Sequence, residues 1–341
     1  MKQAILYGAG DLRIEDRPLD PAHLTDNQVY VQTLITALST GTDLGNYMGR
    51  SRDIPDAPDY PRAVGYSNVG VVSKAGSQVR ELRVGERVFS LKPHQSAYIA
   101  EQGELMVSVP ESVSSEEASL AYLAQLGLAA LRQARYEAGE NIAVVGLGVI
   151  GLCVCGLARA LGAKVAAIAN SAVRAEAAKL VGAHATFLAD QLRPEDLRGP
   201  FGEVGADIVV LTANTWDAYR LAVEIARRRG RIAILGFPGR AQPQPAFNPL
   251  DPKWLYGKQL ELLGAGAAPF LECLPEEIRF NVRRNLQYVL SLMATGVLSF
   301  KPLISHRLPW HRMQEAYDLA RQHAKALTAA VFDWSALSMA T

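Results

Sequence analysis

The chain has 341 residues, 49% of them hydrophobic, which is enough to bury a large core and to build two domains. Lys plus Arg total 35 against 34 for Asp plus Glu, a net charge of +1 that gives no attraction for nucleic acid or an anionic membrane and leaves a small molecule as the default partner. The 3 cysteines do not amount to a disulfide framework, and the charges scattered through MKQAILYGAGDLRIEDRP interrupt the apolar run a signal peptide needs, so a reduced, cytoplasmic protein without membrane insertion is expected.

Taken in chain order, the first part is rich in Pro and Gly and shows period-two stretches such as residues 28–34, the pattern of a β-rich domain. Residues 69–90, VGVVSKAGSQVRELRVGERVFS, read as strands broken by turns at 74–77 and at Gly85. The most informative stretch follows at 141–151, NIAVVGLGVIG, where a short apolar strand runs into a glycine fingerprint that opens a helix. Gly146 permits the tight turn, Gly148 lets the backbone approach a pyrophosphate, and Gly151 lets the helix pack on the strand; Leu147, Val149 and Ile150 complete the loop and first turn. The phosphates would rest on the helix N-terminus, whose unpaired N–H groups and dipole favour an anion. Residues 142–158 are almost unbroken in their apolarity, yet their glycines and the nearby Arg159 fit a covered strand and helix better than a bilayer span.

Alternating elements continue from there. A helix at 149–161 is stopped by Gly162, a strand occupies 164–168, and a helix at 173–181 is closed by Gly182. Apolar strands are expected at 207–211, 231–235 and 260–263, with a helix at 216–229 between the first two. Such alternation argues an α/β fold with a doubly wound parallel sheet. Two helices close the chain, at 276–295 and 310–323; Arg279, Arg283 and Arg284 read as a solvated face of the first. Cys153 and Cys155, two apart on a helix, do not share a face and read as packing residues, as does Cys273.

Which dinucleotide binds is decided after the second strand, where NAD-selective sites carry an Asp or Glu. Here Ala169 takes that place, followed by Asn170, Ser171 and Arg174, a set able to hydrogen-bond and neutralise a 2′-phosphate, so NADPH is favoured over NADH. Asn170 and Ser171 also suit capping of the next helix. Thr212, Gly236 and Phe237, following the later strands, complete the expected cofactor contacts.

With STGTD at 39–43, YPRAVGYSNVGVV at 60–72, VGERV at 84–88 and GLGVIG at 146–151 in this order, the chain resembles the medium-chain dehydrogenase/reductase superfamily. The resemblance implies a β-rich, GroES-like catalytic domain at 1–125 and 275–341 and a dinucleotide-binding Rossmann domain at 126–274. It also implies a homodimer paired through residues 260–263 and 264–268. Zinc-dependent members hold the metal through a Cys before Gly-Thr-Asp, a His in Gly-His-Glu and a later acidic or Cys ligand. Thr40, Tyr66 and Tyr122 stand in those places here, and neutral hydroxyls do not replace thiolate, imidazole and carboxylate, so no zinc and no other metal is expected. STGTD followed by Gly-Tyr is similar to a zinc-less branch that includes bacteriochlorophyllide hydroxyethyl dehydrogenases.

The function expected is a zinc-independent, NADPH-linked oxidoreductase that interconverts a carbonyl and a secondary alcohol by hydride transfer. Tyr66 or Tyr122 would donate the proton, Thr42 would relay protons, Thr40 and Asp43 would complete a polar floor, and His94 is an alternative acid–base group. Ser67 occupies the place of an acidic residue common in relatives. Two other readings stand beside this one: an enoyl or quinone reductase acting on a C=C conjugated to a carbonyl, and a sensor or structural protein that binds NADPH without turnover.

Overall fold

The computed structural model describes residues 1–50, 59–202, 205–240, 242–266, 280–322 and 325–338. The chain forms two compact units. The first comprises Met1–Tyr122, Leu286–Thr295 and Ile304–Thr341, and the second Leu123–Asn285 and Gly296–Leu303.

The first unit opens with the hairpin β1 (Lys2–Gly8) and β2 (Asp11–Asp16), and β1 also pairs with the short β4 (Arg62–Ala63). Between them lie β3 (Gln28–Ala37) and the one-and-a-half-turn helix α1 (Thr42–Tyr47). β3 is the centre of the larger sheet: it pairs antiparallel with β5 (Asn68–Ala75), which pairs with β6 (Arg87–Ser90). It also pairs with β7 (Ala97–Glu101), while β8 (Met106–Ser108) borders β6. The period-two pattern has its physical cause here. Val29 and Val31 of β3 are fully buried and pack in a cluster with Val72, Val88 and Tyr98 from the neighbouring strands.

Helices α2 (Ser115–Ala118) and α3 (Ala121–Gln133), not read from the sequence, precede the nucleotide region. Ser114 caps α2 by accepting from the Glu117 amide. The second unit then runs β9 (Asn141–Val145), α4 (Val149–Ala160), β10 (Lys164–Ala169), α5 (Ala172–Leu180) and β11 (Ala185–Leu188). After α6 (Arg198–Phe201) come β12 (Ala206–Leu211), α7 (Trp216–Ile225), β13 (Ala226–Ile234) and β14 (Glu261–Gly264). The strands form one parallel sheet in the order β11-β10-β9-β12-β13-β14, with the order of strand addition switching sides between β9 and β12, the doubly wound arrangement whose ligands lie at the carboxyl ends of the strands. All five residues of β9 are buried, which accounts for the apolar run from 142 as a covered strand followed by α4. Among the described residues, no helix is long and apolar enough to cross a membrane.

Two expectations are corrected. The helix expected over 216–229 ends at Ile225, because Ala226 turns to extended backbone and starts β13. Its terminus is held from far along the chain: Lys258 Nζ donates to the carbonyls of Val223, Glu224 and Ala226 at 3.1, 2.6 and 2.9 Å, satisfying the last-turn acceptors. Residues 296–303, expected with the catalytic domain, cluster with the nucleotide unit instead. There Phe300 and Leu298 pack against Gly156 of α4, where an added Cβ would stand only 3.3–3.4 Å from them.

The chain closes with α8 (Val282–Ala294), β15 (Ile304–Pro309), α9 (Met313–Arg321), β16 (Ala329–Asp333) and α10 (Ser335–Ser338). β16 returns to β3, with Val331 opposite Ala37, so the C-terminal strand completes the first unit's sheet. Cys273, Arg279, His323 and residues 267 and 268 lie outside the described residues.

Candidate active site and cofactor site

A candidate cofactor site lies at the carboxyl end of β9. Gly146 adopts φ +97°, and an added Cβ would sit 2.7 Å from the Ala213 amide, so both conformation and space require glycine. At Gly151 a Cβ would fall 2.0 Å from the Gly146 carbonyl oxygen. The turn is clamped by Thr212, whose hydroxyl donates to that same carbonyl at 2.5 Å. Gly148 is different: nothing among the described residues lies within 4 Å of its would-be Cβ, leaving open space at the N-cap of α4 for a group that approaches the backbone. A pyrophosphate fits this cradle of amide groups, with no acidic side chain in the first turn of α4. Leu147 and Val149 are buried, while Ile150 is half-buried.

The strand-end residues follow the same logic. Ala169 is fully buried and Asn170 exposed. Ser171 is the N-cap of α5 by backbone, yet its hydroxyl makes no capping bond and, although buried, has no hydrogen-bond partner among the described residues. Arg174 lies one turn into α5, partly buried, and burial lowers its pKa from the ordinary value. No acid occurs in the first turn of α5. Gly236 donates its amide to the Leu211 carbonyl at 2.9 Å, and Phe237 is exposed, its amide held by Asn214 Oδ1 at 2.7 Å.

The second constellation is in the first unit, where β3 delivers Leu38 and Ser39 to the start of α1. Asp43, in the first turn of α1, is 1% exposed. Its Oδ2 accepts from the Ser39 amide at 2.9 Å and its Oδ1 from the Gly65 amide at 3.1 Å. One buried carboxylate thus ties the segment entering α1 to the turn that carries Tyr66. Tyr66 Oη donates to Ser39 Oγ at 2.5 Å, and its ring meets that of Tyr122 edge to face at 5.4 Å. Thr40 is half-buried and Thr42 exposed beside this cluster.

Electrostatics set the protonation states. Burial raises the Tyr66 phenol well above 10, reinforced by the Asp43 charge, while the hydroxyls of Ser39 and Thr42 pull it back. Burial likewise raises Tyr122. Both phenols therefore hold their protons at neutral pH, as a donor to a carbonyl oxygen must. Burial pushes Asp43 up to about 6, against the lowering effect of its two backbone donors and Arg62.

His94 corrects an expectation. It is fully buried, with ring edges against Phe332 at 5.1 Å and Tyr317 at 6.3 Å, and Gly65 packs so closely that a Cβ there would lie 2.6 Å from the imidazole. Burial pushes its pKa down to about 3, so it is neutral rather than poised for acid–base work, and it presents no surface to a substrate. Its Nε2 lies 4.0 Å from Asp43 Oδ2, too far for a hydrogen bond. Sequence reasoning also passed over Ser39: its place in STGTD was visible, but its partnership with Tyr66 depends on a contact 27 residues away.

The Asp43 carboxyl carries a pH signature. Its pKa rises from the ordinary 3.8 to about 6 on folding, so its contribution to stability is full below pH 4 and is lost as pH rises through 6, a decline of roughly 3 kcal/mol. Urea unfolding at pH 4.5 and 7 of the native chain and of Asp43→Asn checks this: the native chain is expected to lose stability relative to the variant as pH rises. A constant difference would mean that Asp43 titrates normally.

Two family models each match part of the chain. Residues 149–279 match a family model described as zinc-binding dehydrogenase, and residues 25–126 one described as alcohol dehydrogenase GroES-like domain. A sorbitol dehydrogenase of Bacillus subtilis (strain 168) is 23% identical over 354 residues, covering 94% of this chain and 94% of the relative. A probable D-xylulose reductase A of Aspergillus clavatus is 27% identical, with 96% of each chain covered. In structure, galactitol-1-phosphate dehydrogenase from Escherichia coli matches with a TM-score of 0.81 at 21% identity, over 98% of this chain and 100% of that one. The fold is a Rossmann-like parallel α/β sheet together with a GroES-like domain. The two matches and the relatives support the medium-chain dehydrogenase/reductase superfamily and an oxidoreductase of alcohols or carbonyls.

The donor set at Thr40, Tyr66 and Tyr122 is ill suited to the zinc that the first of these descriptions names, because two of the three are phenols that keep their protons. Among the described residues no group of three or more His, Cys, Asp or Glu is placed to hold a metal ion.

Proposed function

We propose that this chain is a zinc-independent, NADPH-linked oxidoreductase that interconverts a carbonyl and a secondary alcohol. The observation that carries the reading is the Tyr66 phenol: neutral, hydrogen-bonded to Ser39 and packed on Tyr122, where zinc-dependent relatives keep an imidazole ligand. When bound, the reduced nicotinamide supplies the hydride. The chain's own work is then to hold the phosphates at the N-terminus of α4, to orient the carbonyl oxygen against the Tyr66 hydroxyl, and to give that oxygen a proton. Ala169, Asn170, the unpartnered Ser171 hydroxyl and the Arg174 charge support a 2′-phosphate on the cofactor.

The test uses chelator-treated protein with but-3-en-2-one, a substrate bearing both a carbonyl and a conjugated C=C. But-3-en-2-ol as product, with NADPH preferred over NADH and no gain on adding zinc, is the expected result. Butan-2-one as product would make the chain an enoyl reductase, and NADPH binding without turnover on this and a wider carbonyl panel would make it a sensor. Arg174→Ala is expected to cut the NADPH-over-NADH preference about tenfold, the worth of roughly 1.5 kcal/mol from a charged hydrogen bond. An unchanged preference, measured by titrating each cofactor, would remove Arg174 from the site.

A further inference from the structure

We infer that Ser39 is a positioning residue for proton transfer, acting through Tyr66 by exchanging the roles of acceptor and donor; this deepens the carbonyl-reductase reading and rests on it. A phenol has one proton to give. In the structure Tyr66 spends it on Ser39 Oγ at 2.5 Å. To protonate a substrate, the Tyr66 O–H must rotate away from Ser39, and the Ser39 hydroxyl, itself able to rotate, then turns its own proton onto Tyr66 Oη.

With the reduced nicotinamide bound and supplying the hydride for the new C–H bond at the carbonyl carbon, the C=O π bond would break and the oxygen would take the Tyr66 proton. Negative charge then rests on Tyr66 Oη, where the Ser39 O–H hydrogen bond stabilises it until a solvent proton restores the phenol. Such a bond to a charged oxygen is worth more than one to a neutral oxygen, so Ser39 favours the transition state over the ground state.

Two observations make Ser39 fit for this and not merely near. It is 1% exposed, so its hydroxyl is shielded from competing water. Its backbone is fixed by Asp43, which accepts from the Ser39 amide at 2.9 Å and also anchors the Tyr66 turn through Gly65 at 3.1 Å. The two hydroxyls are thus set against each other by one buried carboxylate. The tether uses the Ser39 amide and not its side chain, so Ser39→Ala removes the hydroxyl and leaves the frame in place.

The experiment compares Ser39→Ala, Tyr66→Phe and the double variant. One readout is steady-state turnover with NADPH and but-3-en-2-one. The other is the Tyr66 carbon signal in cofactor-free protein labelled with [13Cζ]tyrosine, assigned by its loss in Tyr66→Phe. Ser39→Ala is expected to lower kcat about 10-fold to 100-fold, the worth of one hydrogen bond to a charged oxygen, with KM within twofold. It is expected to displace the Tyr66 carbon signal and to add nothing in the Tyr66→Phe background. Full kcat in Ser39→Ala while Tyr66→Phe loses it, or an unmoved Tyr66 signal, overturns the role of Ser39 and leaves Tyr66 standing. Full turnover in Tyr66→Phe overturns the catalytic reading of Tyr66, and that of Ser39 with it.

Discussion

Replacing Tyr66 by Phe is expected to lower turnover by about 100-fold to 10,000-fold, the range for losing a positioned general acid, while NADPH affinity stays within twofold. The ring fills the same space and keeps its edge-to-face contact with Tyr122, so what is lost is the hydroxyl that Ser39 now receives. Tyr122→Phe is expected to cost less, because among the described residues no hydroxyl contact comparable to that of Tyr66 with Ser39 ties it to the Asp43 frame. Because burial holds the Tyr66 phenol above 10, its proton is present throughout the neutral range, and ketone reduction is expected to show no basic limb from this group below pH 10. Stopped-flow turnover and cofactor fluorescence on the two variants check both points. Full activity in both would remove the tyrosines from the chemistry.

The glycine fingerprint separates folding from binding. Gly151→Ala places a Cβ 2.0 Å from the Gly146 carbonyl oxygen, backbone that is already clamped by Thr212 and cannot give way cheaply. The expected cost is about 3 kcal/mol or more, at the top of the range for overpacking, seen as a lowered urea midpoint. Gly148→Ala meets nothing within 4 Å among the described residues and keeps an ordinary φ of −68°, so stability is expected to hold within about 0.5 kcal/mol. Its methyl instead intrudes where the phosphates approach, and NADPH binding is expected to weaken by roughly 1.5–3 kcal/mol, the worth of hydrogen bonds to a charged group. Calorimetric titration beside the unfolding curves distinguishes the two; equal effects of both variants on folding and binding would mean that the loop does not cradle a phosphate.

The sequence by itself was enough for the Rossmann unit, because its evidence is local. β9 is an apolar run, the glycines mark the turn, and Gly162 and Gly182 stop two helices at the residues where the chain must reverse. Ala169 and Arg174 could be placed for the same reason, since a strand end and a helix start lie within a few residues of each other. Tyr66 and Thr40 were singled out by their order within a longer pattern, which survives without knowledge of distance.

Only the tertiary structure decided what depends on contacts between distant segments. α7 stops at Ile225, where Ala226 turns to extended backbone and Lys258 reaches back to the terminal carbonyls, and no residue inside the helix announces that. Residues 296–303 join the nucleotide unit because Phe300 finds Gly156. His94 reads as a loop imidazole, but burial among Tyr317, Phe332 and Gly65 strips it of solvent and leaves it neutral. Asp43 and Ser39 sit in plain view within STGTD, yet their roles arise only when the 64–67 turn folds over them. Periodicity and turn chemistry are properties of neighbours in sequence, whereas desolvation and hydrogen-bond partnership belong to neighbours in space, and it is the latter that set the protonation states of this site.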